Sequence, residues 1–374
     1  MSANAKLKRP PLTHFLCLPL VNALSLPQLE SSLATFKASI PYAPGRTDLP
    51  EQQRRHQQPR PLIPDEAIRP VGTLHLTLGV MSLPTPERLD EALEFFRSLD
   101  LSQMLRAAGA VAGITMQRRL PSVTDMKGSS SDGTIGVDVP AIPSIDERSQ
   151  DESVTPDPFT ISLESLHALP RARSATILHA APVDHSSRLY PFCEALREKF
   201  EEAGFMQKEY KKGSTTKPRP LLLHATIANT IYIRGRKRNA GGHKKDRRAS
   251  QYTFDARDVV SHYRNFYLND EGTILRSSGI VAQDQLGIVD EGTDMHDTES
   301  HSEEDLSAQP ASDDSRSTYP FVWARDFPIE AVCICEMGAK SLNPIGDESG
   351  MNVRLGEKYT VVAERSLDFR NINW

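Results

Sequence analysis

Two short stretches of the chain present the same pair of reactive side chains in the same frame. In Leu74-His75-Leu76-Thr77-Leu78, and again in Leu223-His224-Ala225-Thr226-Ile227, a histidine and a threonine alternate with apolar residues. Side chains on a strand point to its two faces in turn, so each histidine shares a face with the threonine two positions on, while the apolar residues pack the other way. Imidazole titrates near 6.5, so near neutral pH one such ring can accept a proton while another donates one. A hydroxyl beside each ring can donate to oxygens on which negative charge develops. Two strands of this kind facing each other would bracket a phosphodiester and supply both base and acid.

The three-residue pattern is weak on its own. It recurs at His185-Ser186-Ser187, in the polar lead-in to a helix, and the variant His296-Asp297-Thr298 falls in an acidic stretch. Neither copy has the alternating apolar frame that would hold a ring rigidly. Either His75 or His224 taken singly reads as an ordinary strand histidine; the matched pair carries the inference. No GxxxxGK[ST] loop and no cluster of metal ligands occurs, so the expected chemistry uses neither metal nor cofactor.

The elements that must position these residues follow from periodicity. Thr13–Leu20 is expected as a strand and Leu24–Ile40 as a helix, with Leu26, Leu29, Leu33 and Phe36 on one stripe. Pro41–Pro70, rich in Pro, Gln and Arg, is expected as a long loop. Strand Thr73–Leu83 precedes a helix over Pro86–Leu105. Strands Phe159–Leu169 and Ala175–Ala181 lead to a helix carrying Leu189, Phe192, Cys193, Leu196 and Phe200 on one face, with Gly204 as its stop. Leu221–Ile233 is expected as a strand, the stretch from Gln251 to Ile280 has no clear pattern, and Ala331–Met337 and Tyr359–Glu364 close the chain as strands. Interleaved helices and mostly alternating strands predict an α+β fold with largely antiparallel sheets. One domain over 12–366 is expected, interrupted by disordered insertions at 41–70, 122–158, 234–250 and 283–317.

Composition agrees with a padded single domain. The chain has 374 residues, of which 38% are hydrophobic, below the usual apolar share of about 45–50%. The net charge of −5 argues against whole-molecule attraction to nucleic acid and leaves local basic patches open. Cys17, Cys193, Cys333 and Cys335 form no CxxC pair; buried thiols are expected at Cys333 and Cys335, which suits the reducing nucleus or cytoplasm. Neither a secretory signal nor a run of about 18 apolar residues is found, so no membrane partner is expected.

HLTLGV (His75–Val80) and LHATIANT (Leu223–Thr230) resemble the paired HxT motifs of the two-histidine (2H) phosphoesterase superfamily. THFLCLPL, HLTLGVMSL, LLLHATIANTIYIRG and VCICEMGAK together resemble one branch of it, which holds the A-kinase anchor protein 7-like domain and activating signal cointegrator complex subunit 1. The resemblance runs from Thr13 to Glu364, with gaps at the polar insertions. It implies a bilobal fold of the RNA ligase/cyclic phosphodiesterase kind, with two pseudo-symmetric antiparallel-sheet lobes flanked by helices and the cleft between them. It further implies a phosphoric diester hydrolase acting on 2′,5′- or 2′,3′-cyclic phosphodiesters or RNA ends. By the same resemblance His75 and His224 are the acid/base pair, and Thr77 and Thr226 bind the phosphate. The substrate partner would be RNA, an oligonucleotide or a cyclic nucleotide. Only a short stretch precedes the first strand, so a role resting on the KH domain of the cointegrator subunit is not expected, and no amphipathic helix suits kinase anchoring.

The alternative is a non-catalytic RNA-binding coregulator subunit that retains the fold and works in a coregulator complex. Ligation in place of hydrolysis, oligomeric state and the division of acid and base roles stay open on sequence. Arg234–Arg248 (RGRKRNAGGHKKDRR) is basic enough to guide an RNA backbone, to act as a nuclear localisation signal, or to be a solvated loop. Gln283–Ser317 is acidic and reads as a solvated insertion. By strand parity Tyr232 would share the facing of His224, with packing an equal reading and no site role assigned.

Overall fold

The computed structural model describes residues 10–43, 60–119, 158–207, 219–233, 251–264 and 321–369. Of the expected insertions, 234–250 and 283–317 lie outside these residues, as do 122–157 of 122–158 and 44–59 of 41–70. The elements, in chain order, are β1 (His14–Pro19), α1 (Ser25–Ser39), β2 (His75–Met81), α2 (Pro86–Ser98) and α3 (Leu101–Arg119). They continue with β3 (Phe159–Leu169), β4 (Ile177–Val183), α4 (Leu189–Glu202), β5 (Ala225–Asn229) and α5 (Arg257–Arg264). The last are β6 (Val322–Ile329), β7 (Ala331–Glu336), β8 (Lys340–Ser341), α6 (Met351–Leu355), β9 (Glu357–Lys358) and β10 (Val361–Ser366).

The two expected lobes are the halves of one eight-stranded sheet, in the order β10-β7-β1-β2-β5-β4-β3-β6. Every neighbouring pair is antiparallel. Each half places a motif strand at its inner edge, β2 in one and β5 in the other. Within the sheet, β2 and β5 pair at one residue each, Leu76 with Ala225.

Alternation decides which face of the sheet is covered. Leu74, Leu76, Leu78, Ala225 and Ile227 are all buried in the main core, with Phe36 of α1, Phe96 of α2 and Phe192 and Phe200 of α4. Burying each large apolar side chain contributes about 1.5–3 kcal/mol, so slipping either motif strand by one residue would exchange that core for polar groups. Local signals set the helix ends. Thr85 accepts a hydrogen bond from the Arg88 N–H ahead of Pro86 at the first turn of α2, and Asp184 accepts from the Leu189 N–H at the start of α4. Gly204, with φ of +73°, stops α4 where the sequence places the stop. At Gly79 a side chain would collide with Met206, which crosses this part of β2.

Several expectations change. The helix expected over Pro86–Leu105 is two helices, broken at Leu99 and Asp100. Arg365 donates to the Phe96 and Leu99 carbonyls that close α2, and the Asp100 carboxylate accepts from the Gln103 N–H to open α3. The second motif strand is shorter than Leu221–Ile233, because the Asn229 side chain accepts from the Ile231 N–H and turns Thr230–Tyr232 into a 3-10 helix. The end of the Pro41–Pro70 loop is core. Ile63, Ala67 and Ile68 are buried, Ile68 bridges to Ala228, and the Arg69 N–H donates to the Ile227 carbonyl. Strand β6 had no expectation: Arg325 and Asp326 interrupt its apolar run, and Asp326 sits at a positive φ of 48°. The unassigned stretch after Gln251 contains α5, while 265–280 lie outside the described residues.

Candidate active site

Pairing of Leu76 with Ala225 decides the geometry of the motif residues. Extending the antiparallel register by one residue each way sets His75 across from Thr226 and Thr77 across from His224. All four side chains lie half-buried on the face opposite the main core. That register, continued one residue each way, brings two imidazoles and two hydroxyls, remote in sequence, to a diagonal quartet at the seam, with His224 close enough for its charge to act on His75. Of the other two sequence matches, His185 does not join it. His185 lines a separate cavity of about 510 Å³ with Arg188 and Asp326, and His296 lies outside the described residues.

Both rings are held by the same device. Nδ1 of His75 is 2.7 Å from the carbonyl oxygen of Thr73, and Nδ1 of His224 is 2.9 Å from that of Leu222. A carbonyl only accepts, so in each neutral ring the proton is on Nδ1 and Nε2 carries a lone pair. The histidine therefore bonds to the backbone two residues before it in both halves. This rigid orientation leaves one basic nitrogen per ring for proton transfer.

Surroundings then separate the two. His75 lies 4.9 Å from the Phe15 ring and 5.2 Å from the Tyr359 ring, measured between centroids. Burial pushes its pKa down to about 4, the Thr73 carbonyl opposes this, and Arg69 and His224 lower it further. Arg69 is itself buried. Its guanidinium is 3.8 Å from Glu357, 3.5 Å from the Tyr359 hydroxyl and 4.0 Å above the Tyr232 ring. Burial, together with the neighbouring Tyr232 hydroxyl, raises the Tyr359 pKa well above the ordinary phenol range. Behind Phe15 lies a small second core of Cys17, Ala331, Cys333 and Cys335, whose thiols are unbridged.

On the other side His224 faces histidines. Its ring centroid is 5.0 Å from that of His179, which stacks on His167 at 5.4 Å. His179 pairs in register with Thr226 across β4 and β5, and with His167 across β3 and β4. The His224 pKa is lowered by burial and by Arg219, against the raising effect of the Leu222 carbonyl.

Burial lowers the proton affinity of both rings, and an anion between them would favour protonation of one. Two hydroxyl donors and two ring nitrogens with lone pairs are groups suited to an anion and to proton transfer. Among the described residues no group of three or more His, Cys, Asp or Glu side chains is placed to hold a metal ion, and no helix is long and apolar enough to cross a membrane.

Sequence reasoning missed Arg69, Phe15, Tyr359, His167 and His179. The two histidines do sit in strand-like runs, but neither has a threonine two residues on, so a search for HxT passes over them. Arg69 fell in an expected loop. Tyr232 leaves the strand before its parity argument applies, and it borders the His75 side through Arg69.

A comparison against protein families matches residues 12–274 to the AKAP7 2'5' RNA ligase-like domain. The match ends short of Glu364, where the sequence resemblance was expected to end, although β6, β7 and β10 complete the same sheet. A search of curated proteins finds no match. With most of its length matched and the paired motifs brought to one seam, the chain belongs to the AKAP7 2'5' RNA ligase-like domain family.

Proposed function

We propose that the protein is a metal-independent phosphodiesterase of the 2H type, acting on 2′,5′-linked or 2′,3′-cyclic phosphodiesters or on RNA ends. The observation that supports this most is the diagonal quartet of His75, Thr77, His224 and Thr226, with both rings fixed by the same Nδ1–H bond to a carbonyl two residues back. His75 serves as base. Its pKa near 4 and the Arg69 charge beside it keep its Nε2 unprotonated at neutral pH. His224 takes the acid role, its proton returning when the anionic substrate binds. Thr77 and Thr226 donate hydrogen bonds to the non-bridging oxygens. In the first step His75 removes the proton from the attacking water as the oxygen–phosphorus bond forms. His224 then protonates the departing ribose oxygen as its bond to phosphorus breaks.

The test is a panel of 2′,5′-oligoadenylates, 2′,3′-cyclic nucleotides and RNAs with 3′-phosphodiester ends, incubated with the full chain in EDTA. Turnover of at least one member, lost in both His75→Ala and His224→Ala, is the expected result. Silence across the panel with RNA binding retained would replace this reading with the non-catalytic coregulator one.

A further inference from the structure

Histidines extend beyond the quartet in a row across three strands: His224 before β5, His179 on β4 and His167 on β3. His179 is only 3% exposed. Its Nδ1 is, among the described residues, the one buried side-chain nitrogen or oxygen with no hydrogen-bond partner. The backbone at Ala180 favours the charged ring but offers Nδ1 no bond of acceptable geometry. An orphaned polar atom of this kind opposes folding, so its position beside His224 calls for a cause.

Neutral imidazole carries one proton. Placed on Nδ1, that proton would be a buried donor whose approach to the Ala180 backbone falls outside hydrogen-bond geometry; placed on Nε2, it leaves Nδ1 as a lone pair. A lone pair without a donor is compensated when a positive charge appears next to it, and the adjacent ring is the one that gains a charge in the proposed cycle. Burial, with His224 and His167 adding to it, holds the His179 pKa down to about 3, so His179 stays neutral while His224 titrates.

We propose that His179 is a positioning residue for His224, its unpartnered Nδ1 stabilising the protonated imidazole beside it and so making His224 the member of the pair that carries charge. This rests on the acid–base reading above. The other titratable and charged groups around His224 cannot supply the effect. Arg219, on the preceding segment, opposes its protonation. His75 on β2, backed by Arg69, would likewise oppose it if charged, and Thr226 on β5 is uncharged. His167 stacks on His179.

The test is an imidazole-nitrogen NMR titration of the full chain. His179→Phe keeps the ring shape but sets a C–H edge where the lone pair stood. The expected result is a fall of about one pH unit in the His224 midpoint, with His179→Gln, which restores an acceptor, recovering most of it. With a 2′,5′-oligoadenylate substrate, the limb of the pH–rate profile that reports His224 should move equally. An unchanged His224 midpoint in folded His179→Phe protein overturns the proposal. Wild-type spectra test it independently of whether the variants fold: the His179 Nδ1 resonance must be that of an unprotonated nitrogen and must shift as His224 titrates, and a protonated or indifferent Nδ1 overturns it. Because the titration requires no turnover, an inactive wild-type protein would refute the enzymatic reading without deciding the ring contact.

Discussion

The two halves of the sheet hold their motif histidines identically and surround them differently. Both rings bond through Nδ1 to the carbonyl two residues earlier. On one side the neighbours are Phe15, Tyr359 and the buried Arg69; on the other they are His179 and His167. An apolar, cationic environment disfavours a further positive charge. The motifs thus share a local hold but not their surroundings: burial lowers the pKa of both rings, with Arg69 adding to it at His75 and Arg219 at His224.

The largest effects should come from the quartet itself. His75→Ala and His224→Ala should each lower turnover by about 10²–10⁴-fold, measured on whichever panel substrate the wild type cleaves. Near-wild-type activity in either one would break the pairing of the halves. Thr77→Val and Thr226→Val should each cost about 10²-fold in kcat if both hydroxyls meet the phosphate as charge develops. A loss confined to one threonine would show that the substrate leans on one half.

Arg69→Gln addresses the contrast directly. Removing its charge should raise the His75 midpoint above about 4 while leaving it below the ordinary 6.5, because burial is the larger cause. The midpoint is read by NMR, and the test fails if it does not move. The smallest effect concerns stability. His75 and His179 resist protonation down to about 4 and about 3 when folded, whereas unfolded histidines protonate near 6.5. The unfolded state therefore takes up more protons as the pH falls. The stability these groups contribute is complete above about 6.5 and is lost progressively toward pH 4. Urea midpoints should fall between pH 7 and pH 5, by less in His75→Gln; a slope unaltered by the substitution would remove His75 from that account.

Legibility followed the strength of local pattern. Strand β2 and helix α4 were readable because apolar residues recur there at a clean period of two or 3.6, and β1 because it is a short continuous apolar run. Strand β6 was not, since Arg325 and Asp326 break its alternation and its partner, Phe159–Leu169, is distant in the chain. The division between α2 and α3 depends on Arg365, which no local window around Leu99 contains. Arg69 sits in a segment whose composition suggests a loop but whose backbone bonds to Ile227.

By itself, the sequence determined which groups could react and that each histidine would share a face with its threonine, because side-chain alternation is a local property of the strand. Only the tertiary structure decided that the two motif strands are neighbours, that their register crosses each imidazole over the other strand's hydroxyl, and that Arg69 flanks one ring while His179 flanks the other. Those are contacts between distant segments, selected by how the apolar faces of both halves close over a common core, and no local spacing encodes them.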